Sequence, residues 1–217
     1  MDKNYNFNKI DTPEKAYALG FILADGYINK KNLVELAICK KDIEIIEHIS
    51  KTIESEIHID NTFNKKTRRF PRVRTIKKIK DITKFTGGRL KEERHYPIVK
   101  KELERYLLLG FFDGDGCITW GYRKDRNRIW QKVSFTSQLH LLEGVQQMLY
   151  KNLGISSVIR PKGDEKCYVI EFANKKDVLK FINFVYPNND FIVLQRKYLK
   201  ANALRLELEE FGGTTTR

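Results

Sequence analysis

The chain has 217 residues and carries 41 Lys and Arg against 28 Asp and Glu, a formal charge of +13. That balance makes a polyanion the first partner to consider, ahead of a plain solubility surplus or adhesion to an acidic membrane. No stretch approaches the ~20 apolar residues of a membrane-spanning helix, and Cys39, Cys117 and Cys167 are too scattered for a zinc site or a disulfide framework.

In chain order, the N-terminal MDKNYNFNK shows neither an apolar run nor a small-residue cleavage site, so a cytoplasmic or nucleoid location is expected, or an organelle matrix if the gene is organellar. The first helical pattern, ALGFILADG at 18–26, places Gly20 and Ala24 four residues apart on one face. A strand pattern follows at LVELAICK (33–40), then an amphipathic helix at 43–53 with Ile46, Ile49 and Ile53 at helical spacing. Strands are expected over 57–63 and 70–77. A short element at 80–86 closes on Gly87 and Gly88. The segment RLKEERHYPIVKK (89–101) is charged, carries Pro97 and reads as a connection.

LLLGFFDGDGCIT at 107–119 then repeats the first pattern. Gly110 falls over Gly20, Asp115 over Asp25 and Ile118 over Ile28, always 90 residues on. The downstream pattern repeats in kind, with strands at 130–137, 155–161 and 166–173 and helices at 141–154 and 175–186. The tail from Phe211 to Arg217 lacks periodicity. Twice the order is helix, strand, strand, helix, strand, strand, helix. The expected fold is therefore α+β, with pseudo-twofold halves at 1–88 and 102–210 joined by 89–101.

The repeated helix raises an electrostatic question. Gly20 and Gly110 let two backbones approach closely, while Gly26 and Gly116 stand where a left-handed helix terminus is expected. Asp25 and Asp115 then close helices whose C-terminal ends are already negative. If they converge, a cation must compensate, and Mg²⁺ held by carboxylates with substrate phosphates suits such a pair; Mn²⁺ or Ca²⁺ would suit it too. The carbonyls of Ala24 and Gly114 are candidate further ligands. Converging acids, a metal and a phosphodiester suggest in-line hydrolysis. A calcium loop fails on spacing, because Cys117 and Ile118 occupy required ligand and glycine positions. A simple Asp-Gly turn stays open for either copy alone.

ALGFILADG and LLGFFDGDG resemble the paired signature of the LAGLIDADG homing endonucleases in their single-chain form. The resemblance implies two motif helices packed at an interface, saddle-shaped antiparallel sheets over an extended double-stranded DNA site, and metal-dependent cleavage of both strands by a monomer. Its catalytic, metal-binding acids map onto Asp25 and Asp115. The first copy has Leu23 where the signature's earlier acid stands, whereas the second keeps Asp113. The family's polar or basic residues ahead of the second helix of each half map by position onto Lys40 or Lys41 and onto Ser137 or Gln138. Lys197, after the last strands, is a further candidate.

Two strands alternate apolar and cationic residues as a groove-reading surface requires. Arg72 and Arg74 flank Val73, while Arg128, Trp130, Lys132 and Ser134 alternate with apolar neighbours; Tyr122, Arg123, Lys124 and Arg126 lie in the adjoining loop. The competing readings are an intron RNA maturase or a non-cleaving regulator on the same scaffold, and a structural basic protein.

Overall fold

The computed structural model describes residues 7–62, 71–126, 128–163, 167–187 and 191–210. The chain forms two compact units, 1–114 and 115–217. The expected element order holds in both halves. One helix, α7 below, is added at the end of the second. The ends of the expected strands at Phe63, Phe70 and Lys166, and the tail from Phe211, lie outside the described residues.

In the first unit, α1 runs Pro13–Asp25. Thr12 caps it by accepting from the Lys15 N–H, and Pro13 at the first position contributes a preset φ. Every residue from Lys15 to Ala24 is buried, so α1 is a core helix. Strands β1 (Tyr27–Ile28), β2 (Leu33–Cys39), β3 (Ile57–Asp60) and β4 (Arg72–Lys78) form an antiparallel sheet in the order β1-β2-β4-β3. Its register pairs Ala37 and His58 with Arg74. Val34, Leu36 and Val73 point into the core, where α2 (Ile43–Ile53) lays Ile45, Ile46, Ile49 and Ile53. The short α3 (Ile82–Thr86) ends on Gly87 at φ +80°, a left-handed position that favours glycine.

Helix α4 runs Lys101–Asp115. Within the first unit its backbone touches that of α1. A Cβ on Gly20 would lie 2.1 Å from the Leu107 carbonyl oxygen, and one on Gly110 2.0 Å from that of Tyr17. The small-residue spacing is therefore used for close helix contact, as the sequence implies.

In the second unit, β5 (Gly116–Arg123), β6 (Arg128–Ser137), β7 (Ile159–Pro161) and β8 (Tyr168–Phe172) pair antiparallel in the order β5-β6-β8-β7. Ile118, Val133, Phe135, Ile170 and Phe172 face a core closed by α5 (Leu139–Leu153) and α6 (Lys175–Val185), with Phe181 edge-on to Phe135 and Phe172. Helix α7 (Gln195–Glu210) buries Ala201, Leu204 and Leu208.

One expectation is corrected. Gly26 has φ −73° and ψ 137°, and Gly116 begins β5, so neither is a left-handed terminus. Gly26 is required for space instead, since a Cβ there would come within 2.5 Å of the Ile22 carbonyl oxygen.

Candidate functional site

Both motif acids close their helices: Asp25 is the last residue of α1, and Asp115 the last of α4. Asp25 is solvent-exposed, whereas Ala24 beside it is fully buried. Gly114 belongs to the first unit, and a Cβ there would lie 2.4 Å from the Ala24 methyl and 3.5 Å from an Asp25 carboxylate oxygen. The residue immediately before the second acid is thus held against the end of α1.

The negative end of α1 is answered by a buried guanidinium. Arg94, from the connection between the halves, is 1% exposed and donates to the carbonyls of Ile22, Leu23, Gly26 and Arg89 at 2.9–3.2 Å. Three of these carbonyls, Ile22, Leu23 and Gly26, lie at the end of α1, where helix carbonyls run short of donors, and a cation there also opposes the helix dipole. Nothing in the sequence signals this role, because Arg94 sits in a run of charged residues whose spacing matches no motif.

The second acid has its own support. The Ser137 hydroxyl, buried at the end of β6, donates to the Asp115 carboxylate at 2.9 Å. Lys197 on α7 is buried and donates to the Gly116 carbonyl oxygen at 2.6 Å. Of the two positions the sequence offered ahead of α5, Ser137 makes this contact. Gln138 is the N-cap residue of α5 through its backbone and makes no side-chain capping bond. Lys40 and Lys41 form a 3₁₀ turn before α2, both exposed, with the Lys40 Nζ donating to Asn61 at 2.6 Å.

The earlier acid of the second motif has a different task. Asp113 is buried and accepts from the Tyr17 hydroxyl at 2.8 Å, tying α4 to α1. The corresponding residues of the other copies, Leu107 and Leu23, are fully buried.

Each sheet turns one face away from its core. On the first, β3 and β4 expose His58, Asp60, Arg72 and Arg74 and, with Glu35 of β2, line a cavity of roughly 400 Å³. Arg72 donates to the Ala37 carbonyl at 2.8 Å, while Arg74 lies 3.8 Å from Glu35. The Thr62 hydroxyl and backbone N–H, with help from the Arg74 charge, hold the Asp60 carboxyl below its ordinary range. On the second sheet, Arg123, Arg128, Trp130, Lys132 and Ser134 share the open face, and the Trp130 indole lies over Gly121. Lys132 pairs with Glu171 at 2.7 Å. Lys124 is exposed in the turn, and the Arg126 side chain lies outside the described residues. Tyr122 is opposite Ile129, so it belongs to the other side of the ribbon, where it is 47% exposed. The acids Glu35 and Glu171 are not marked by the sequence pattern, because alternation shows that they face away from the core but not that a cation stands beside them.

Among the described residues, no three His, Cys, Asp or Glu side chains gather as a metal-binding group. No described helix is long and apolar enough to cross a membrane.

Residues 102–185 match the model of a LAGLIDADG-like domain. Over more than nine-tenths of its length the chain is similar in fold to solved structures of homing endonucleases. The I-LtrWI LAGLIDADG homing endonuclease bound to target DNA aligns with 93% of this chain and 91% of its own at TM-score 0.66 and 14% identity. Meganuclease I-SmaMI bound to uncleaveable DNA aligns over 96% and 93% at TM-score 0.65 and 12% identity. The same enzyme bound to cleaved DNA aligns over 96% and 93% at TM-score 0.60 and 14% identity. At these identities the likeness establishes the fold. No curated protein sequence matches the chain significantly.

Proposed function

We propose that this chain, a LAGLIDADG protein by its domain over residues 102–185 and by its two-motif fold, is a site-specific endonuclease that cuts both strands of an extended double-stranded DNA site. The observation that carries the reading is that both motif helices keep their terminal acid, Asp25 and Asp115, each beside a glycine whose carbonyl is held by a buried cation. A maturase or regulator has no need of two such acids, and neither is replaced here.

The donor set fits a hard divalent cation. Carboxylates and backbone carbonyls offer oxygen alone, with no thiolate or imidazole, which suits Mg²⁺ and accommodates Mn²⁺ or Ca²⁺. Asp25, Asp115 and the carbonyls of Ala24 and Gly114 are the oxygens that would ligate such an ion. Arg94 takes the carbonyls on either side of Ala24 and leaves that ligand's neighbourhood fixed. When bound, Mg²⁺ supplies Lewis acidity and makes a water more acidic at neutral pH.

The chain's own groups perform the rest. Ser137 orients the Asp115 carboxylate by its hydrogen bond. Lys197 fixes the turn from α4 into β5 and places positive charge beside that acid. Lys40 and Gln138 stand at the starts of the helices that follow β2 and β6, where they would order water or phosphate. The open sheet faces, with Arg72, Arg74, Arg123, Lys124, Arg128, Trp130, Lys132 and Ser134, bind the duplex through phosphates and base edges. Arg126, in the turn after β5, and Tyr122, near the end of β5, are further candidates for that contact. The protein acts as a monomer.

The test is incubation of the purified chain with a plasmid library, with and without Mg²⁺. Double-strand breaks at a defined site, dependent on the ion, are expected. Asp25→Asn and Asp115→Asn should each reduce cleavage at least about a hundredfold while DNA binding persists. Specific binding without ion-dependent breaks would leave a regulator in its place.

A further inference from the structure

Resting on that reading, we infer that Glu35 and Glu171 are specificity residues, each accepting a hydrogen bond from a cytosine exocyclic amine in the major groove. A surface that meets a polyanion gains nothing in affinity from carboxylates. Yet each open sheet face carries one beside a cation: Glu35 lies 3.8 Å from Arg74, and Glu171 2.7 Å from Lys132. Stability does not account for them, since ion pairs this exposed contribute little. What a carboxylate can do at a base edge is narrow. It accepts and cannot donate, so the cytosine N4 amine is its natural partner, while Arg and Lys donate to guanine O6 and N7.

Of the charged groups that line the cavity with Glu35, two have other partners: Asp60 accepts twice from Thr62, and Arg72 donates to the Ala37 carbonyl. Glu35 and Arg74 are therefore an acid and a cation of that face that can be presented together to bases. Alternation supports the aim of both acids. Glu35 sits between buried Val34 and Leu36, and Glu171 between buried Ile170 and Phe172, so each points away from its core.

The register adds a second consequence. Tyr27 is opposite Glu35, which is opposite Ile76; Cys117 is opposite Ser134, which is opposite Glu171. Tyr27 and Cys117 are equivalent under the 90-residue repeat, so the two acids occupy the same rung of their sheets. Their cations do not. Arg74 is one rung towards the Cys39 end of β2, whereas Lys132 is one rung towards the Arg128 end of β6. The two halves of the target should thus share a cytosine at related places and differ in the neighbouring guanine.

The experiment is selection of bound sequences from a randomised duplex library, in EDTA to prevent cleavage, by the full chain and by Glu35→Gln and Glu171→Gln. Both sites are at least a third exposed, so folding should be unaffected. The wild type should select cytosine at one position in each half. Each variant should move its own position from cytosine to adenine, which Gln reads, by about tenfold or more, and leave the other unchanged. An unaltered base preference with a uniform gain in affinity would overturn the inference, because the acids would then only hold their cations. Selection of no sequence at all would defeat the endonuclease reading with it; a defined, cleaved site whose base preferences ignore both acids would defeat this inference alone.

Discussion

The ends of α1 and α4 solve one problem with different parts. Each finishes on an acid followed by glycine, and in each the carbonyl of that glycine receives a buried cation. At α1 the cation is Arg94, brought back by the connection between the halves and spread over three carbonyls at that helix end. At α4 it is Lys197, brought from α7, which donates to the Gly116 carbonyl. A guanidinium can serve several acceptors in fixed directions, while an ammonium acts more nearly as a point charge. The acids differ accordingly: Asp115 accepts from Ser137, whereas Asp25 is exposed. A duplicated motif thus keeps its charge pattern while its supports diverge.

The sharpest way to break this comparison is to strike what the two helices share. Gly20 and Gly110 each meet backbone atoms of the other helix, where no rotamer change can make room. Gly20→Ala and Gly110→Ala should each cost about 3 kcal/mol or more, to a similar degree, measured by urea denaturation. A loss below about 1 kcal/mol for either would show that the helices part easily, and the close crossing would lose its force.

Next in size is the contrast between the cations. Arg94→Leu removes a donor to several buried carbonyls and should cost about 3 kcal/mol; Lys197→Met, of similar length, removes the donor to the Gly116 carbonyl and should cost about 1–2 kcal/mol. Cleavage should respond in the opposite order, because Lys197 bonds the carbonyl next to Asp115, which is less exposed than Asp25, and a neighbouring charge is less screened there. Urea denaturation and cleavage rates under saturating Mg²⁺ read the two effects separately. Equal losses in both would erase the distinction drawn here.

Why some of this was legible in the sequence and some was not follows from range. Strand alternation and helix periodicity are local, so α2, β2, β6 and α5 lie where the pattern of Ile and Val puts them. The repeat is also visible in one dimension, and with it Asp25, Asp115 and the close-packing glycines. Arg94 and Glu171 matter through partners brought near by folding, and nothing in their neighbours' identities marks them. Gly26 was misjudged because glycine serves two needs, a positive φ and a missing Cβ, and sequence does not tell them apart. The Tyr17–Asp113 bond shows the same limit from another side: the departure at Leu23 makes sense only once Leu107 is seen to replace Tyr17 in the repeat.

The smallest effect concerns two polar residues of the same connection with opposite fates. Arg94 is richly bonded, but the hydroxyl of Tyr96, two residues on, is buried with no hydrogen-bond partner among the described residues, its ring edge-on to Phe111. Burial, and next the charge of Glu104, push its ionisation well above the ordinary tyrosine value. The folded state therefore favours the neutral phenol. Its contribution is fully present below about pH 10 and is lost as the pH rises further, because the unfolded chain ionises first. Tyr96→Phe deletes an unsatisfied group without emptying the site, so stability near pH 8 should stay within about 1 kcal/mol of wild type or rise. The decline between about pH 10 and pH 11 should become shallower by one proton's worth. Urea titrations at both pH values check it; a loss of about 2 kcal/mol at pH 8 would mean that the hydroxyl has a partner after all, and that the connection holds its polar groups as tightly at Tyr96 as at Arg94.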